Sequence, residues 1–209
     1  MLKYIVGCIC FACIGIIGKH FIEKNKAHTT TEVPSKNTDN YFTNRLKQHR
    51  LLAKKYATTH HLNNTIGFLI DMKIPSGKYR FFVVDFTTDS VYMIGMVTHG
   101  SGSFISNDSL QFSNVTKSGC TSLGMYSIGQ RYFGTFGLAY KLHGLNTTNN
   151  NAFKRFVVLH AHSCVPVTEI APQHICQSLG CPTVAPLFLK QLQPIIDHAT
   201  QPILLYIYY

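Results

Sequence analysis

The 209-residue sequence lacks several features, and each absence excludes a class of protein. Tryptophan is absent and only 13% of residues are charged, whereas 45% are hydrophobic, so the composition is not that of a disordered chain. A single apolar run, from Tyr4 to Gly18, excludes a protein with several membrane spans. The four cysteines that follow this run form no CxxC pair, which excludes a thioredoxin site or a zinc ribbon. No nucleic-acid-binding module is recognisable, so we expect no nucleic acid partner.

Positive charge is in excess, and its position is informative. The chain has 19 Lys and Arg against 9 Asp and Glu. Nine of these basic residues and only three of the acids lie between Lys19 and His61. A basic segment beside a leader is typical of contact with a membrane surface or an anionic polymer. We therefore expect a contact of this segment with a membrane surface or an anionic polymer.

The N-terminus has the charge-then-apolar order of an export signal. Lys3 precedes the apolar run, and polar residues follow it. The run is short for a full membrane span, which needs roughly 20 residues. Residues 1–18 are thus predicted to be a cleaved signal peptide or an uncleaved membrane anchor, and the alternative is a buried strand or helix. Export would place the protein in an oxidising compartment.

The remaining chain divides into two parts. Residues 19–61 are predicted to form a basic stalk, flexible over 25–40, followed by a helix over 41–60 with an apolar stripe of Leu46, Leu51, Leu52 and Tyr56. Residues 62–209 contain many short β-branched and aromatic runs separated by turns, typical of a mainly β domain with a few helices. Its helical segments are predicted to be Thr168–Cys176 and Pro186–Ala199.

The strongest local motif is the segment from Ser178 to Pro182. Gly180 permits a tight turn just before Cys181, and the amides of these two residues then point at one spot, as an oxyanion hole requires. Upstream, a predicted strand ends at His160, a rigid place for the base that a nucleophilic thiol needs. The alternatives are that Cys181 is a small buried apolar residue and that His160 is a core imidazole.

These residues, with several others in order, resemble the murein L,D-transpeptidase catalytic domain (YkuD-like), in its Gly-Cys-Pro branch. The family pattern of a strand ending in His, then about 20 residues, then Ser-x-Gly-Cys matches the spacing from His160 to Cys181. Further matching blocks extend the similarity over Ile66 to Tyr209; they are Asp71–Val83, Thr98–Ser103, Phe112–Asn114, Ser122–Tyr126, Gly144–Leu145, Asn149–Ala152 and Arg155–His160. The resemblance implies a mainly β fold, the L,D-transpeptidase β-sandwich.

The resemblance also implies a function. Cys181 would be the nucleophile and His160 the base in acyl transfer on peptidoglycan stem tetrapeptides, giving 3–3 cross-links. The oxyanion would be held by the backbone amides of Leu179, Gly180 and Cys181. The implied substrate-binding residues are Arg155, Lys141, His99 and Ser178. No metal or other cofactor is expected. The chain departs from the family pattern at Ala161, Leu179, His143 and Lys141.

Several alternatives remain open. Water as acceptor would make the protein an L,D-carboxypeptidase or another cysteine amide hydrolase, and an unreactive Cys181 would make it a non-catalytic wall-binding protein. His99 and His162 compete with His160 for the role of base. Another alternative is a metal site with nitrogen and sulfur ligands, which would be His160, His162, His174, Cys176 and Cys181. Finally, Cys164 and Cys176 form a disulfide or remain two buried thiols.

Overall fold

Short strands dominate residues 36–106 and 109–209, the parts of the chain that the computed structural model describes. Within them lie two α-helices, α1 (Lys36–Thr59) and α2 (Pro186–Asp197), and a 3₁₀ turn at Ser101–Ser103. The ten strands are β1 (Ile66–Asp71), β2 (Phe81–Asp85), β3 (Ser90–Gly95), β4 (Phe104–Ser106), β5 (Ser109–Leu110), β6 (Gly124–Gly134), β7 (Gly137–Gly144), β8 (Val158–Ala161), β9 (Thr183–Val184) and β10 (Leu204–Tyr208). The predicted mainly β class is confirmed.

Eight of the strands form one sheet in the order β3-β2-β1-β10-β6-β7-β8-β9. The C-terminal strand β10 lies in its middle, parallel to β1 and antiparallel to β6. This position agrees with its apolar sequence, because side chains pack against both faces of the sheet at its middle strands. The β4–β5 pair forms a separate small sheet.

Alternate residues of the central strands pack into two different hydrophobic cores, one on each face of the sheet, as the two-residue period of a strand requires. Phe68 and Ile70 of β1 face the larger core, which α2 covers with Phe188, whereas Leu69 faces the opposite side. β10 alternates in the same way. The register of the central strands is therefore fixed by burial on both faces.

The smaller core lies between the sheet and α1. Ala53 and Ala57 are fully buried there, whereas Leu51 and Leu52 are about half exposed, at 54% and 52%. The predicted helix over 41–60 is confirmed as far as Thr59, but α1 begins at Lys36, so the prediction of a flexible stalk up to residue 40 is wrong over its last residues. The predicted apolar stripe is wrong in part, because Leu46 and Tyr56 pack against this core but Leu51 and Leu52 do not. Arg45 pairs with the buried carboxylate of Asp71, with Nη2 to Oδ1 at 3.0 Å. Helix α1 therefore belongs to the same compact unit as the sheet.

The two ends of the sheet meet. Val97, just after β3, forms an antiparallel bridge with Val184 of β9, and the Thr98 amide donates to the Thr183 carbonyl at 2.9 Å. The sheet thus curls until its first and last strands touch. This junction lies two residues beyond Cys181 and directly beside β8, so the closure of the sheet sets the position of the predicted site.

One predicted helix is wrong. Thr168–Cys176 is irregular, with the amides of Ile170 and Ala171 both donating to the carbonyl of Gly77, at 2.9 and 3.1 Å. Pro172 explains the failure, since a proline within a helix removes a hydrogen bond and clashes with the preceding turn. The segment is held by the β1–β2 turn instead.

Neither helix of the described residues carries an apolar stretch long enough to cross a lipid bilayer. The predicted leader, residues 1–18, and most of the predicted stalk lie outside the described residues.

Candidate active site

The segment from Ser178 to Pro182 forms the predicted tight turn. The Ser178 hydroxyl donates to the Cys181 carbonyl at 2.7 Å and accepts the Gly180 amide at 3.1 Å, so one side chain closes the turn. The Ser178 amide in turn donates to the His99 carbonyl at 2.9 Å. Ser178 is therefore a structural residue of the turn that presents the thiol.

Gly180 is required in this turn for two reasons. Its φ of +114° is one that only glycine adopts readily. A Cβ atom there would also lie 2.7 Å from the Cys120 carbonyl oxygen. The sequence motif is thus explained by the backbone geometry next to Cys181.

The Cys181 thiol is half-buried against the chain that leads into β8. The Val158 amide donates to Sγ at 3.4 Å, and the Phe156 carbonyl lies 3.7 Å from Sγ. Burial raises the pKa of the thiol, while the Val158 amide and the positive charge of Arg155 act in the opposite direction. The resting group is consequently a thiol, and it needs a base to become nucleophilic.

His160 is held by both of its ring nitrogens. Nδ1 lies 3.1 Å from the Ala161 carbonyl oxygen, which can only accept, so Nδ1 carries the proton in the neutral ring. Nε2 is then the basic nitrogen, and it lies 3.0 Å from the Thr183 hydroxyl. Burial is the main cause that lowers the pKa of His160, and His162 adds to it, although the Ala161 carbonyl raises it. The imidazole is therefore neutral and basic near pH 7.

Cys181 and His160 line the same cleft of about 650 Å³. Among the described residues no hydrogen bond joins the thiol to the imidazole, since each has the partners given above. The combination of a protonated thiol and a neutral imidazole is suited to activation of the thiol by a general base. The hydrogen bond between such a pair commonly forms or shortens only when substrate binds.

Arg155 also lines the cleft. Its guanidinium donates to two carbonyls and two hydroxyls, the shortest contact being 2.6 Å to the Cys120 carbonyl. The other acceptors are Ser113 O, Ser122 Oγ and Ser118 Oγ. No carboxylate within residues 36–106 and 109–209 forms a salt bridge with it. The cleft thus contains a fixed positive charge near the thiol, which suits an anionic substrate.

Lys141 lies in a neighbouring cavity of about 280 Å³. Its Nζ is 6.0 Å from the Tyr132 ring centre and 5.8 Å from that of Phe153. On the sheet, Lys141 pairs with Val158, two positions along from the pair of Ala139 and His160. Residues two apart on a strand share a face, so Lys141 and His160 lie on the same face of the β7–β8 ladder.

His99 and His162, the two alternative candidates for the base, lie in different surroundings. His99 is 3% exposed, and its Nδ1 lies 3.0 Å from Nη2 of Arg80. Burial, and then the charges of Arg80 and His174, lower its pKa to about 4. His162 lines the cleft, and its Nδ1 accepts the Cys164 amide at 3.1 Å. His99 therefore contributes its carbonyl to the Ser178 turn, and its ring lies in the core.

The cysteines settle the two readings that the spacing left open. Cys164 and Cys176 form a disulfide, with Cα atoms 6.0 Å apart, and Cys120 is a buried free thiol. Of the proposed mixed metal site, Cys176 is therefore occupied. Within the described residues, no cluster of three His, Cys, Asp or Glu side chains is placed to hold a metal ion.

Sequence reasoning missed three residues at the site: Thr183, Val158 and Phe136. Phe136 stacks on the ring of His160 at a centroid distance of 4.7 Å. The signal for Thr183 was its position two residues after Cys181 in a short strand. The contact of Phe136 left no signal, because it depends on how the β6–β7 hairpin curves.

The fold and the cleft agree with a comparison against known families. A family model described as the L,D-transpeptidase catalytic domain matches residues 36–208. The chain therefore belongs to the L,D-transpeptidase catalytic domain family. This confirms the predicted family and the predicted class of enzyme, an L,D-transpeptidase, and the family implies a peptidoglycan substrate.

Comparisons with individual proteins give weaker similarities. No curated protein matches the chain. Among solved structures, an L,D-transpeptidase from Xylanimonas cellulosilytica is 14% identical, with 74% of this chain and 68% of that chain covered and a TM-score of 0.39. An L,D-transpeptidase from Enterococcus faecium is 10% identical, with 69% and 50% covered and a TM-score of 0.42. The helical cell shape determining protein Pgp2 from Campylobacter jejuni is 8% identical, with 68% and 47% covered and a TM-score of 0.42. The chain thus spans about half the length of the latter two.

Proposed function

We propose that the protein is a murein L,D-transpeptidase that uses Cys181 as nucleophile and His160 as base to form 3–3 cross-links in peptidoglycan. The observation that carries the proposal is the cleft itself. It contains one free thiol and one imidazole whose protonated nitrogen is fixed by a backbone carbonyl, which leaves Nε2 as the base. The family of the chain supplies the reaction class.

The first step is acylation of the enzyme. His160 Nε2 takes the thiol proton, and Cys181 Sγ attacks the carbonyl of the third residue of a stem tetrapeptide, a diamino acid reacting at its L-centre. The peptide bond to the terminal D-alanine breaks, the imidazolium gives its proton to the leaving amine, and a thioester remains on Cys181.

The oxyanion of this step requires amide donors at the turn. Of the three predicted amides, that of Gly180 already donates to the Ser178 hydroxyl. We therefore assign the oxyanion to the amides of Leu179 and Cys181. Leu179 lies at the mouth of the cleft with 83% of its surface exposed, which is compatible with direct contact with the substrate.

The second step transfers the acyl group. The side-chain amine of a second stem attacks the thioester carbonyl, a C–N bond forms as the C–S bond breaks, and the amine proton passes through His160 to the thiolate. Water in place of the amine gives the L,D-carboxypeptidase reaction, which is the alternative activity of the same site.

The two cations of the site are assigned to the carboxylates of the stem peptides. Arg155 is fixed within the Cys181 cleft, and we assign it to the donor stem. Lys141 lies further along the same sheet face, beneath Tyr132 and Phe153, and we assign it to the more distant acceptor stem. Lys141 would form a charge-assisted hydrogen bond, whereas Arg155, whose Nη donors are already engaged, would act through its positive charge.

Export to the periplasm or cell wall is part of the same proposal. It is supported by the charge-then-apolar order of residues 1–18 and by the Cys164–Cys176 disulfide, which persists in oxidising compartments. The basic residues between Lys19 and His61, apart from Arg45 and Arg50, which pair with Asp71 and Asp89, would contact the membrane surface or an anionic wall polymer.

Mass spectrometry of the protein incubated with a stem tetrapeptide tests the proposal. We expect an adduct with the mass of the tripeptidyl thioester in the wild type and in Cys120→Ala, and none in Cys181→Ala. Cys120 is the matched control, because it is the other free thiol of the described chain. An adduct that persists in Cys181→Ala would overturn the assignment of the nucleophile, and no adduct on the wild type would favour a non-catalytic wall-binding protein.

A further inference from the structure

The tip of the β6–β7 hairpin carries an aromatic residue over the catalytic histidine. Gly134 pairs with Gly137, so the turn consists of Thr135 and Phe136 alone. The outer half of the hairpin is solvent-exposed, yet the Phe136 ring turns back over the sheet. Gly137, with φ of +76° and open space around its Cα, gives the chain the conformation that this return needs.

The ring of Phe136 lies almost parallel to the imidazole of His160, with 23° between the planes and 4.7 Å between the centroids. It also meets His162 edge-on at 6.0 Å. These contacts put Phe136 on the wall of the Cys181 cleft. The side chain nevertheless remains 57% exposed, so part of the ring is free to contact a second molecule.

The strand register explains why there is room for this ring. Tyr132, Ala139, His160 and Thr183 pair successively across β6, β7, β8 and β9, so they form one row on the same face. Ala139 is the small member of the row and stands between Tyr132 and His160. Its short side chain leaves the imidazole face open to Phe136.

We propose that Phe136 is a specificity-determining residue that favours an amine over water as the acceptor of the acyl-enzyme. The inference rests on the function proposed above and concerns its second step. Water must be held by several polar partners to attack the thioester with His160 as base. An aromatic ring over the imidazole offers none, whereas an acceptor stem brings its own contacts and can pack against the exposed part of the ring.

The acyl-enzyme reacts in the same way with an amine and with water. With an amine, a C–N bond forms and the C–S bond breaks; with water, a C–O bond forms and the C–S bond breaks, and in both cases the proton reaches the Cys181 thiolate through His160. Phe136 takes no part in bond formation. It sets the relative rates by limiting where water can be placed next to Nε2.

The test measures the ratio of hydrolysed tripeptide to cross-linked dimer, with stem tetrapeptide as donor and acceptor, by chromatography with mass detection. Phe136→Ala should raise this ratio about 2- to 10-fold, the range expected for loss of one aromatic contact. Phe136→Tyr, which keeps the ring, should stay near the wild type. Phe133→Ala is the matched control, since Phe133 is on the same hairpin and 78% exposed.

The outcomes separate the inference from the proposed function. Absence of an acyl-enzyme on the wild type contradicts the proposed function. Normal acylation with equal product ratios in Phe136→Ala, Phe133→Ala and the wild type contradicts the role of Phe136 alone. If Phe136→Ala fails to fold, Phe136→Leu replaces it, and a ratio equal to that of the wild type in this variant would also overturn the role.

Discussion

The hydroxyl of Thr183 lies 3.0 Å from Nε2 of His160, opposite it on the neighbouring strand. Thr183 follows Cys181 by two residues, so the strand that continues from the proposed nucleophile also holds the proposed base. The Thr183 amide in turn donates to the Thr98 hydroxyl at 3.2 Å, across the junction where the sheet closes. The orientation of the imidazole therefore depends on closure of the whole sheet.

Removal of this hydroxyl should impair catalysis. We expect Thr183→Val to lower kcat about 3- to 10-fold with little change in KM, because the ring loses one hydrogen bond that orients it. Thr183→Ser keeps the hydroxyl and should retain most of the activity. Steady-state kinetics of the three proteins with a stem tetrapeptide are the measurement. Equal kcat for the valine and serine variants would contradict an orienting role.

The two histidines of the cleft should differ strongly in importance. His160→Gln should lower turnover by a factor on the order of 100 or more, as is usual for loss of a general base. His162→Gln should cost much less, because Nδ1 of His162 is engaged by the Cys164 amide and the residue is exposed. Single-turnover acylation rates of both variants decide the question. If His162→Gln is the more damaging change, the base is His162.

The tight turn at Gly180 and the strand that carries His160 could be predicted from the sequence, because each is encoded locally. Both patterns are visible in a few consecutive residues. The position of the His99 ring could not be predicted, because its burial beside Arg80 is a tertiary contact. Likewise the helix predicted over Thr168–Cys176 failed because backbone contacts with Gly77 and the presence of Pro172 outweigh the local pattern.

The same distinction applies to Arg155 and Lys141, the two residues proposed to bind substrate carboxylates. Their charge and approximate spacing are in the sequence, but the division of Arg155 and Lys141 between two cavities follows from the pairing of β7 with β8. A shift of that register by one residue would turn Lys141 to the other face of the sheet. The sequence indicates that both residues are candidates for substrate binding. Only the pairing of β7 with β8 shows that they lie in separate cavities.

The disulfide should stabilise the folded domain. Cys164 and Cys176 close a short loop that leads directly to Ser178. In the chain-entropy model such a loop contributes at most ~3 kcal/mol, so Cys164→Ser with Cys176→Ser should lower the free energy of unfolding by up to that amount. Denaturant unfolding of the oxidised protein and of the double variant is the measurement. A reductant should destabilise only the wild type; an equal effect on both would argue against the disulfide.

The stability of the α1 interface should depend on pH through His49. This ring stacks on Tyr208 with 3.6 Å between centroids, and its Nδ1 lies 3.2 Å from the Tyr206 hydroxyl. Burial, followed by the charge of Arg45, lowers the pKa of His49, and Asp71 opposes this in part. The ring is thus packed in its neutral form against the sheet.

The sign of the effect follows from linkage. A histidine whose pKa is lower in the folded protein takes up its proton more readily when unfolded, so its contribution to stability is present above the ordinary pKa of about 6.5 and declines as the pH falls through the folded value. We expect the free energy of unfolding of the wild type to fall between pH 7 and pH 5 more steeply than that of His49→Phe, which keeps the stacked ring but cannot titrate. Urea unfolding at several pH values provides the comparison. His198→Gln is the control, because His198 is an exposed histidine. Parallel pH dependences of His49→Phe and the wild type would show that His49 is not coupled to folding.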